Sequence, residues 1–316
     1  MYGTTSISAS NTVLKSMSQT SDLHRQELRQ SLSSTISKIE NRTPQLSEPI
    51  KASRASLGIH AIDKALDPVA AKGILTNALH EIRVTNGLDA ASGAGFAFCL
   101  GLMMTKESAD PDNVKQSELP PIFWISDHFT RQEYGSYYGP GLCAFGIAPQ
   151  NLIRISPSSL EESLWAAGEI TATHGAVRFC LMEIRGHPKA LDLTVTRRLM
   201  LRAQSSGTTI LILRQSSEEE ASSAATRWHV MPASSRKSSS EASPLMHQFI
   251  GPPSFSVSLE KCRGGNPIFN PFIMEWNSND QCFTLSKADT NHRIHPQSGF
   301  RGGGSNRVRR TVSKIA

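Results

Sequence analysis

The 316-residue chain is predicted to be an α/β protein with a mostly parallel sheet flanked by helices. Three observations predict this class. From residue 57 onward, short apolar runs alternate with longer helix-like stretches, the order typical of parallel sheets. Runs such as RFCLM and ILIL are apolar throughout, as strands buried on both faces require. Hydrophobic residues make up only 38% of the chain, which favours one folded core with polar tails over two compact domains.

The N-terminal segment is predicted to lie outside this core. Residues 1–21 are rich in Ser and Thr without any period, which is typical of disorder. Residues 22–56 are interpreted as an amphipathic helix over 22–40, with one narrow apolar stripe, and a Pro-containing linker over 41–56. This helix is a candidate surface for partner binding.

The α/β domain is predicted over residues 57–285, with five strands and four helices in alternation. The strands are expected at 79–84, 122–126, 152–155, 177–184 and 208–213, and the helices at 89–106, 130–146, 158–174 and 191–206. A capping box formed by Ser158 and Glu161, or by Ser159 and Glu162, begins the third helix. Gly207 ends the fourth, as a C-terminal glycine does.

The C-terminal part is predicted to contain a small antiparallel extension and a tail. Three short strands are expected in TRWHVM, SFSVSLEK and FIMEW, with a flexible Ser- and Pro-rich loop over 232–254. Residues 286–316 are predicted to be a disordered basic tail. Residues 287–316 contain seven Lys or Arg and one Asp, so they account for the net charge of +6 of the whole chain. The core is therefore neutral and shows no electrostatic sign of nucleic-acid binding.

Composition also predicts the compartment. The five cysteines show no CxxC spacing, which indicates free thiols in a reducing cytoplasm. The longest apolar run, 94–104, is too short to cross a bilayer, and the first thirty residues lack a secretory signal. We therefore expect a cytoplasmic protein without a membrane segment.

The turn after the first strand occupies the position of a phosphate-binding loop and contains Asn86, Gly87, Asp89 and Gly93. Such a loop needs a Gly-Lys pair followed by Ser or Thr, and no Gly-Lys pair occurs in the chain. Asp89 is expected at the helix N-cap, where its carboxylate would repel phosphate. We interpret the turn as a structural helix start, with Gly93 allowing close packing on the sheet, and expect no cofactor.

Two acids, Asp127 and Glu183, follow strands at the edge where ATPases hold Mg²⁺. Without the lysine, a structural role is favoured for both. No His or Cys cluster indicates a metal site, and no catalytic residue is predicted, so we expect a protein that is not an enzyme. A degenerate ATPase with Glu183 as its acid remains the alternative.

Two groups of arginines are candidate contacts for a partner or for DNA. Arg197, Arg198 and Arg202 lie on the fourth helix, where a solvated face is the commoner explanation. The tail places its arginines in an Arg/Gly context typical of segments that follow nucleic-acid backbones; they are Arg301, Arg307, Arg309 and Arg310. DNA binding through the tail is therefore a further alternative.

Five blocks, in order along residues 57–276, carry a resemblance to a known family. They are LHEI with DAA and GFAF at 79–98, YGPGL with FGI at 138–147, LDLT with RRL at 191–199, ATRW at 225–228 and CRGG at 262–265. The chain resembles the ImuA family, RecA-like accessory proteins of bacterial damage-induced mutagenesis.

The resemblance implies a RecA-type core that has lost nucleotide chemistry. On this mapping the turn 85–95 lies at the ATP loop of RecA, Asp127 near its catalytic acid and Glu183 near its second Mg²⁺-associated acid. The implied function is a non-catalytic role in an SOS-induced translesion assembly. Its expected partners are the Y-family-polymerase-like protein ImuB and an error-prone DnaE-type polymerase, with RecA as a further candidate.

Overall fold

A computed structural model describes residues 53–106, 120–173, 176–235 and 251–286. The predicted helix at 22–40, the middle of the loop 232–254 and the basic tail lie outside the described residues. Residues 53–56, assigned from sequence to the end of the linker, belong to the folded part, because Arg54–Ala55 forms a strand.

The centre of the fold is a nine-stranded sheet. In chain order its strands are β3 (Leu79–Arg83), β4 (Ile122–Ile125), β5 (Leu152–Ile155), β6 (Phe179–Arg185), β7 (Thr209–Gln215), β8 (Thr226–Pro232), β9 (Ser254–Cys262), β10 (Ile268–Asn277) and β11 (Cys282–Leu285). Their spatial order is β11-β10-β9-β8-β3-β7-β6-β4-β5. The six strands from β8 to β5 are parallel, and β9, β10 and β11 continue antiparallel. A separate antiparallel pair joins β1 (Arg54–Ala55) to β2 (Ile74–Leu75). The predicted α/β class is confirmed.

Helices cover both faces of the sheet. They are α1 (His60–Leu66), α2 (Ala90–Lys106), α3 (His128–Tyr134), α4 (Gly139–Ala144), α5 (Leu160–Thr171) and α6 (Leu193–Ser206). Alternating residues of β7 show the two faces: Leu211 and Leu213 pack in the core layer of α2, whereas Ile210 and Ile212 pack in that of α5 and α6. Burial on both faces explains why the sequences of these strands are continuous apolar runs.

The core layer on the α2 face is aromatic. The ring of Phe96 lies 5.8 Å from that of Trp228, 5.7 Å from Phe255 and 5.5 Å from Phe283, measured between centroids. These contacts join α2 to the antiparallel strands. The strands predicted after residue 225 therefore extend the same sheet and share its core.

Two helix boundaries follow the local sequence signals. Ser159 caps α5 and accepts a hydrogen bond from Glu162 N, while Glu162 Oε2 accepts one from Ser158 N at 2.8 Å. Gly207 ends α6 in the left-handed conformation, with φ of 76°. Both signals satisfy backbone groups that a helix end leaves unpaired.

The helix predicted over 130–146 is wrong in extent, because the structure divides it into α3 and α4. Gly135, with φ of 85°, ends α3, and Tyr138 is the N-cap of α4, which has a proline in its first turn. Pro140 has no N–H to donate and fits the start of a helix better than its interior. The break lets the segment 134–145 fold over the edge of the sheet.

The helical stretch Gly87–Thr105 is long and apolar enough to cross a membrane, with a mean hydropathy of 1.4. This stretch is longer than the run 94–104 seen in the sequence, because a 3₁₀ turn leads directly into α2. Two thirds (67%) of its most apolar 18 residues are buried within the fold. The helix therefore has the burial expected of the central helix of a core.

Candidate functional site

The candidate site lies where the parallel strands end. The residues after β3 and β4 and the last residues of β6 and β7 meet at one edge of the sheet, since parallel strands share a direction. Asp127 follows β4, Glu183 lies in β6, and Gln215 ends β7. In open α/β sheets ligands bind at this edge.

The turn after β3 is stabilised by its own side chain. Gly87–Asp89 forms a 3₁₀ turn, and Asn86 Oδ1 accepts a hydrogen bond from Leu88 N at 3.1 Å. The expectation that Asp89 is the N-cap is wrong, because Asn86 provides the cap and Asp89 lies inside the turn. In a phosphate-binding loop, backbone N–H groups point toward the ligand. Here the N–H of Leu88 is instead hydrogen-bonded to the side chain of Asn86.

The space beside this turn is filled by Tyr134. A Cβ atom on Gly87 would lie 2.8 Å from Tyr134 Cε1 and 3.1 Å from Ser216 Oγ. Tyr134 Oη and Ser216 Oγ are 2.9 Å apart and share a hydrogen bond. The end of α3 is thereby tied to the loop after β7, directly over the turn.

Gly93 has a packing role. A Cβ atom on it would lie 2.7 Å from Val84 Cγ1 and 2.8 Å from Leu213 Cδ1. Real Cβ contacts are longer, so only glycine lets α2 approach the sheet this closely.

Asp127 is used in helix capping. Its Oδ1 accepts a hydrogen bond from Thr130 N at 2.7 Å, which makes it the N-cap of α3. A carboxylate in this position is also stabilised by the positive end of the helix.

Glu183 is the unusual acid of the site. Its side chain is 4% exposed, and burial raises the pKa of its carboxyl to about 7, with the nearby charge of Asp127 adding to the shift. Ser126 and Trp124 lie close enough to oppose the shift. Trp124 Nε1 and Ser126 Oγ are nevertheless buried without a hydrogen-bond partner among the described residues. Near neutral pH the carboxyl is therefore about half protonated.

Glu183 borders a cavity of about 250 Å³, which we call the strand-end pocket. Its walls come from the first turns of α2, from Trp124 of β4 and from the segment 134–145. The lining residues are Ala90, Ala91, Ala94, Gly95, Phe98, Trp124, Tyr134, Gly135, Ser136, Tyr137, Tyr138, Gly141, Leu142, Phe145, Glu183 and Gln215. The lining thus contains one acid and no Lys or Arg.

The arginines of α6 lie elsewhere. Helix α6 covers the face of the sheet opposite α2, so Arg197, Arg198 and Arg202 are not part of the strand-end pocket. Arg202 is close to α5: a Cβ atom on Gly168 would meet its Nη1 at 2.0 Å. The four tail arginines, Arg301, Arg307, Arg309 and Arg310, lie outside the described residues.

Comparison with known proteins supports the resemblance at a distance. Over 140 residues the chain is 26% identical to protein ImuA of Caulobacter vibrioides, in strains NA1000 / CB15N and ATCC 19089 / CIP 103742 alike. The chain is thus distantly similar to ImuA. The matched region is 41% of this chain, and the chain spans about half the length of the curated relatives it matches, 53%. No family model matches the chain.

Sequence reasoning placed Glu183 at the site but missed the pocket around it. Tyr134, Tyr137 and Phe145 lie in the stretch predicted as one continuous helix. Nothing in the sequence therefore indicated that these three residues line the same pocket. Gln215 is a polar residue at the end of an apolar strand, the same signal that singled out Asp127 and Glu183, and it could have been found in that way.

Proposed function

We propose that this protein is a non-catalytic, RecA-like accessory protein of a DNA-damage-induced translesion synthesis assembly. The distant similarity to ImuA and the five ordered sequence blocks support the biological setting. The observation that carries the non-catalytic part is the turn after β3, which lacks a lysine, is capped by Asn86 and is covered by Tyr134.

Physical chemistry disfavours a nucleoside triphosphate at this edge. Phosphoryl transfer needs cations around the γ-phosphate and an acid that holds Mg²⁺. Asp127 is engaged in capping α3, and Glu183 is partly protonated near neutral pH. The lining of the strand-end pocket offers no Lys or Arg to offset phosphate charge.

The proposed partners are an ImuB-type protein and an error-prone DnaE-type polymerase, with RecA as a third candidate. A candidate contact surface is the outer side of α5 and α6. Trp165 is 68% exposed there and lies one turn before Gly168, over which Arg202 extends. Trp and Arg are the residue types that most often dominate binding energy at protein interfaces.

The decisive experiment is co-expression of the full chain with these three proteins from the same genome, followed by affinity capture and by assay of damage-induced mutation in a gene-deletion strain. We expect the wild-type chain to capture the polymerase components and to restore mutagenesis, without hydrolysing ATP. Trp165→Ala should weaken capture, whereas Gln204→Ala, an exposed change on α6, should not. Mg²⁺-dependent ATP hydrolysis that Glu183→Gln abolishes would refute the proposal and support the degenerate ATPase instead.

DNA binding through the tail is a second candidate function, favoured by the concentration of the net charge in residues 287–316. It predicts an affinity for DNA that falls steeply with salt, because bound phosphates release counterions. A chain ending at Ser286 should lose this affinity. Equal DNA binding by the shortened and full chains would exclude the tail as the contact.

A further inference from the structure

The strand-end pocket has the composition of a ligand site. Six aromatic residues belong to its lining: Phe98, Trp124, Tyr134, Tyr137, Tyr138 and Phe145. Two polar side chains from neighbouring strands, Glu183 and Gln215, complete the lining at the edge of the sheet. Ligand pockets commonly combine apolar walls with a few such polar groups.

An unsatisfied acceptor borders this pocket. Gln215 is 1% exposed, and its Oε1 has no hydrogen-bond partner among the described residues. Buried polar groups are nearly always hydrogen-bonded, and leaving one unpaired costs about 1–3 kcal/mol. An acceptor in this position is therefore suited to a ligand N–H group.

The charge of the pocket lining favours a cationic ligand. Glu183 is its one ionisable acid, the charge of Asp127 lies nearby, and no Lys or Arg is present in the lining. An anion would be repelled by the carboxylate of Glu183 and by that of Asp127 nearby, whereas a cation would gain a charge-assisted hydrogen bond from the Glu183 carboxylate.

The aromatic walls favour the same ligand, because ring faces attract cations. The rings of Trp124 and Tyr137 lie 4.9 Å apart between centroids. Arg154, which is not part of the pocket lining, places its guanidinium 5.9 Å from the centroid of Tyr137. One ring of the wall thus already accepts a guanidinium within the protein itself.

We propose that the strand-end pocket binds an organic cation, a guanidinium or alkylammonium group held by Glu183, Gln215 and the aromatic walls. The volume of about 250 Å³ is slightly below the roughly 300–1,000 Å³ of pockets for drug-sized ligands, which suits a group the size of a side chain. The cation is either a free small molecule or an Arg or Lys side chain of a partner protein. Both sources present the same chemistry to the pocket.

The test is isothermal titration of the full chain at pH 8 with four probes: n-butylguanidinium, choline, the uncharged isostere of choline 3,3-dimethylbutanol, and a capped Arg-containing peptide. We expect saturable binding of at least one cation and at least about tenfold weaker binding of the uncharged isostere. Stronger binding of the peptide than of n-butylguanidinium would identify a protein side chain as the source. Equal binding of the two would identify a free cation.

Variants test whether the cation binds in the strand-end pocket. Glu183→Gln keeps the shape of the side chain and should weaken cation binding at least about tenfold. The matched control Glu169→Gln, an exposed glutamate of α5, should not change it. Gln215→Met provides a second variant if Glu183→Gln melts abnormally, and it too should weaken binding.

Titration with pH gives an independent readout. A cation prefers the ionised carboxyl, so affinity should fall as pH decreases below about 7, where Glu183 takes up a proton. The other ionisable groups facing this carboxyl or the pocket are Asp127, Tyr134, Tyr137 and Tyr138. No saturable binding of any cation, equal binding of the uncharged isostere, or unchanged binding by Glu183→Gln and Gln215→Met would overturn the proposal.

Discussion

Replacing Arg227 by Met is expected to destabilise the protein strongly, because it leaves a buried carboxylate without its counter-ion. Glu81 of β3 and Arg227 of β8 are paired neighbours in the sheet, with Arg227 Nε 2.8 Å from Glu81 Oε2. The two side chains are 1% and 5% exposed. Glu81 Oε1 has no hydrogen-bond partner among the described residues, so Arg227 makes the hydrogen bond to this carboxylate, while the charge of Lys261 acts on it from nearby.

The magnitude follows from the burial of the pair. Removing one partner of a buried ion pair costs about 3–5 kcal/mol. At roughly 2–4 °C per kcal/mol for a domain of this size, the melting temperature should fall by about 6–20 °C. Neutralising both residues, in Glu81→Gln with Arg227→Met, should recover most of the loss, since no uncompensated charge then remains.

Thermal and urea denaturation followed by circular dichroism measure this effect. The matched control is Arg185→Met, because Arg185 and Glu133 form a comparable ion pair that is 53% and 44% exposed. Its melting temperature should be unchanged, since solvent screens such pairs. Equal shifts for the two arginine variants, or a double variant less stable than Arg227→Met, would refute the reasoning.

Three further predictions concern the strand-end site. Gly93→Ala should lower the free energy of unfolding by about 1–3 kcal/mol through collision with Val84 and Leu213. Gly139→Ala should not, because its Cβ would meet only Pro149 Cγ, at 4.0 Å; urea unfolding compares the two variants. Asp127→Ala should cost about 1 kcal/mol through loss of the α3 cap, and Asp127→Asn should restore most of it in the same assay. Glu183 binds its proton more tightly in the folded chain than in the unfolded chain, so its protonation stabilises the fold at low pH. This contribution to the free energy of unfolding, about 3 kcal/mol, is lost as pH rises from about 4.5 to about 7. The unfolding free energy of Glu183→Gln relative to wild type should therefore increase over that interval, and a constant difference would contradict the assigned burial.

The parallel part of the fold was predictable from sequence because each signal there is local. Strand β5 matches its predicted bounds, 152–155, and β3, β4, β6 and β7 lie within a few residues of theirs. Gly207 and the Ser159 cap act within one helical turn, so their effect on α5 and α6 can be read directly. The absence of a Gly-Lys pair is likewise a property of the chain alone.

Other features were not predictable because they depend on residues far apart in the chain. The pairing of β8 with β3 joins residues about 146 positions apart, so the sequence did not reveal that the antiparallel strands continue the main sheet. Strand β11, only four residues long, was not recognised. The cap by Asn86 was missed since Asp89 is the stronger N-cap candidate by position.

The sequence by itself determined the α/β class, the alternation of strands and helices, and a strand-end turn without the cation that phosphate chemistry requires. Tertiary structure alone decided the environment of Glu183 and its neighbours. The fold brings Trp124, Tyr134 and Phe145 from three separate elements around one carboxyl and removes water from it. Desolvation depends on that packing rather than on neighbours in the chain, and it is the physical reason why an ordinary-looking glutamate has a pKa of about 7.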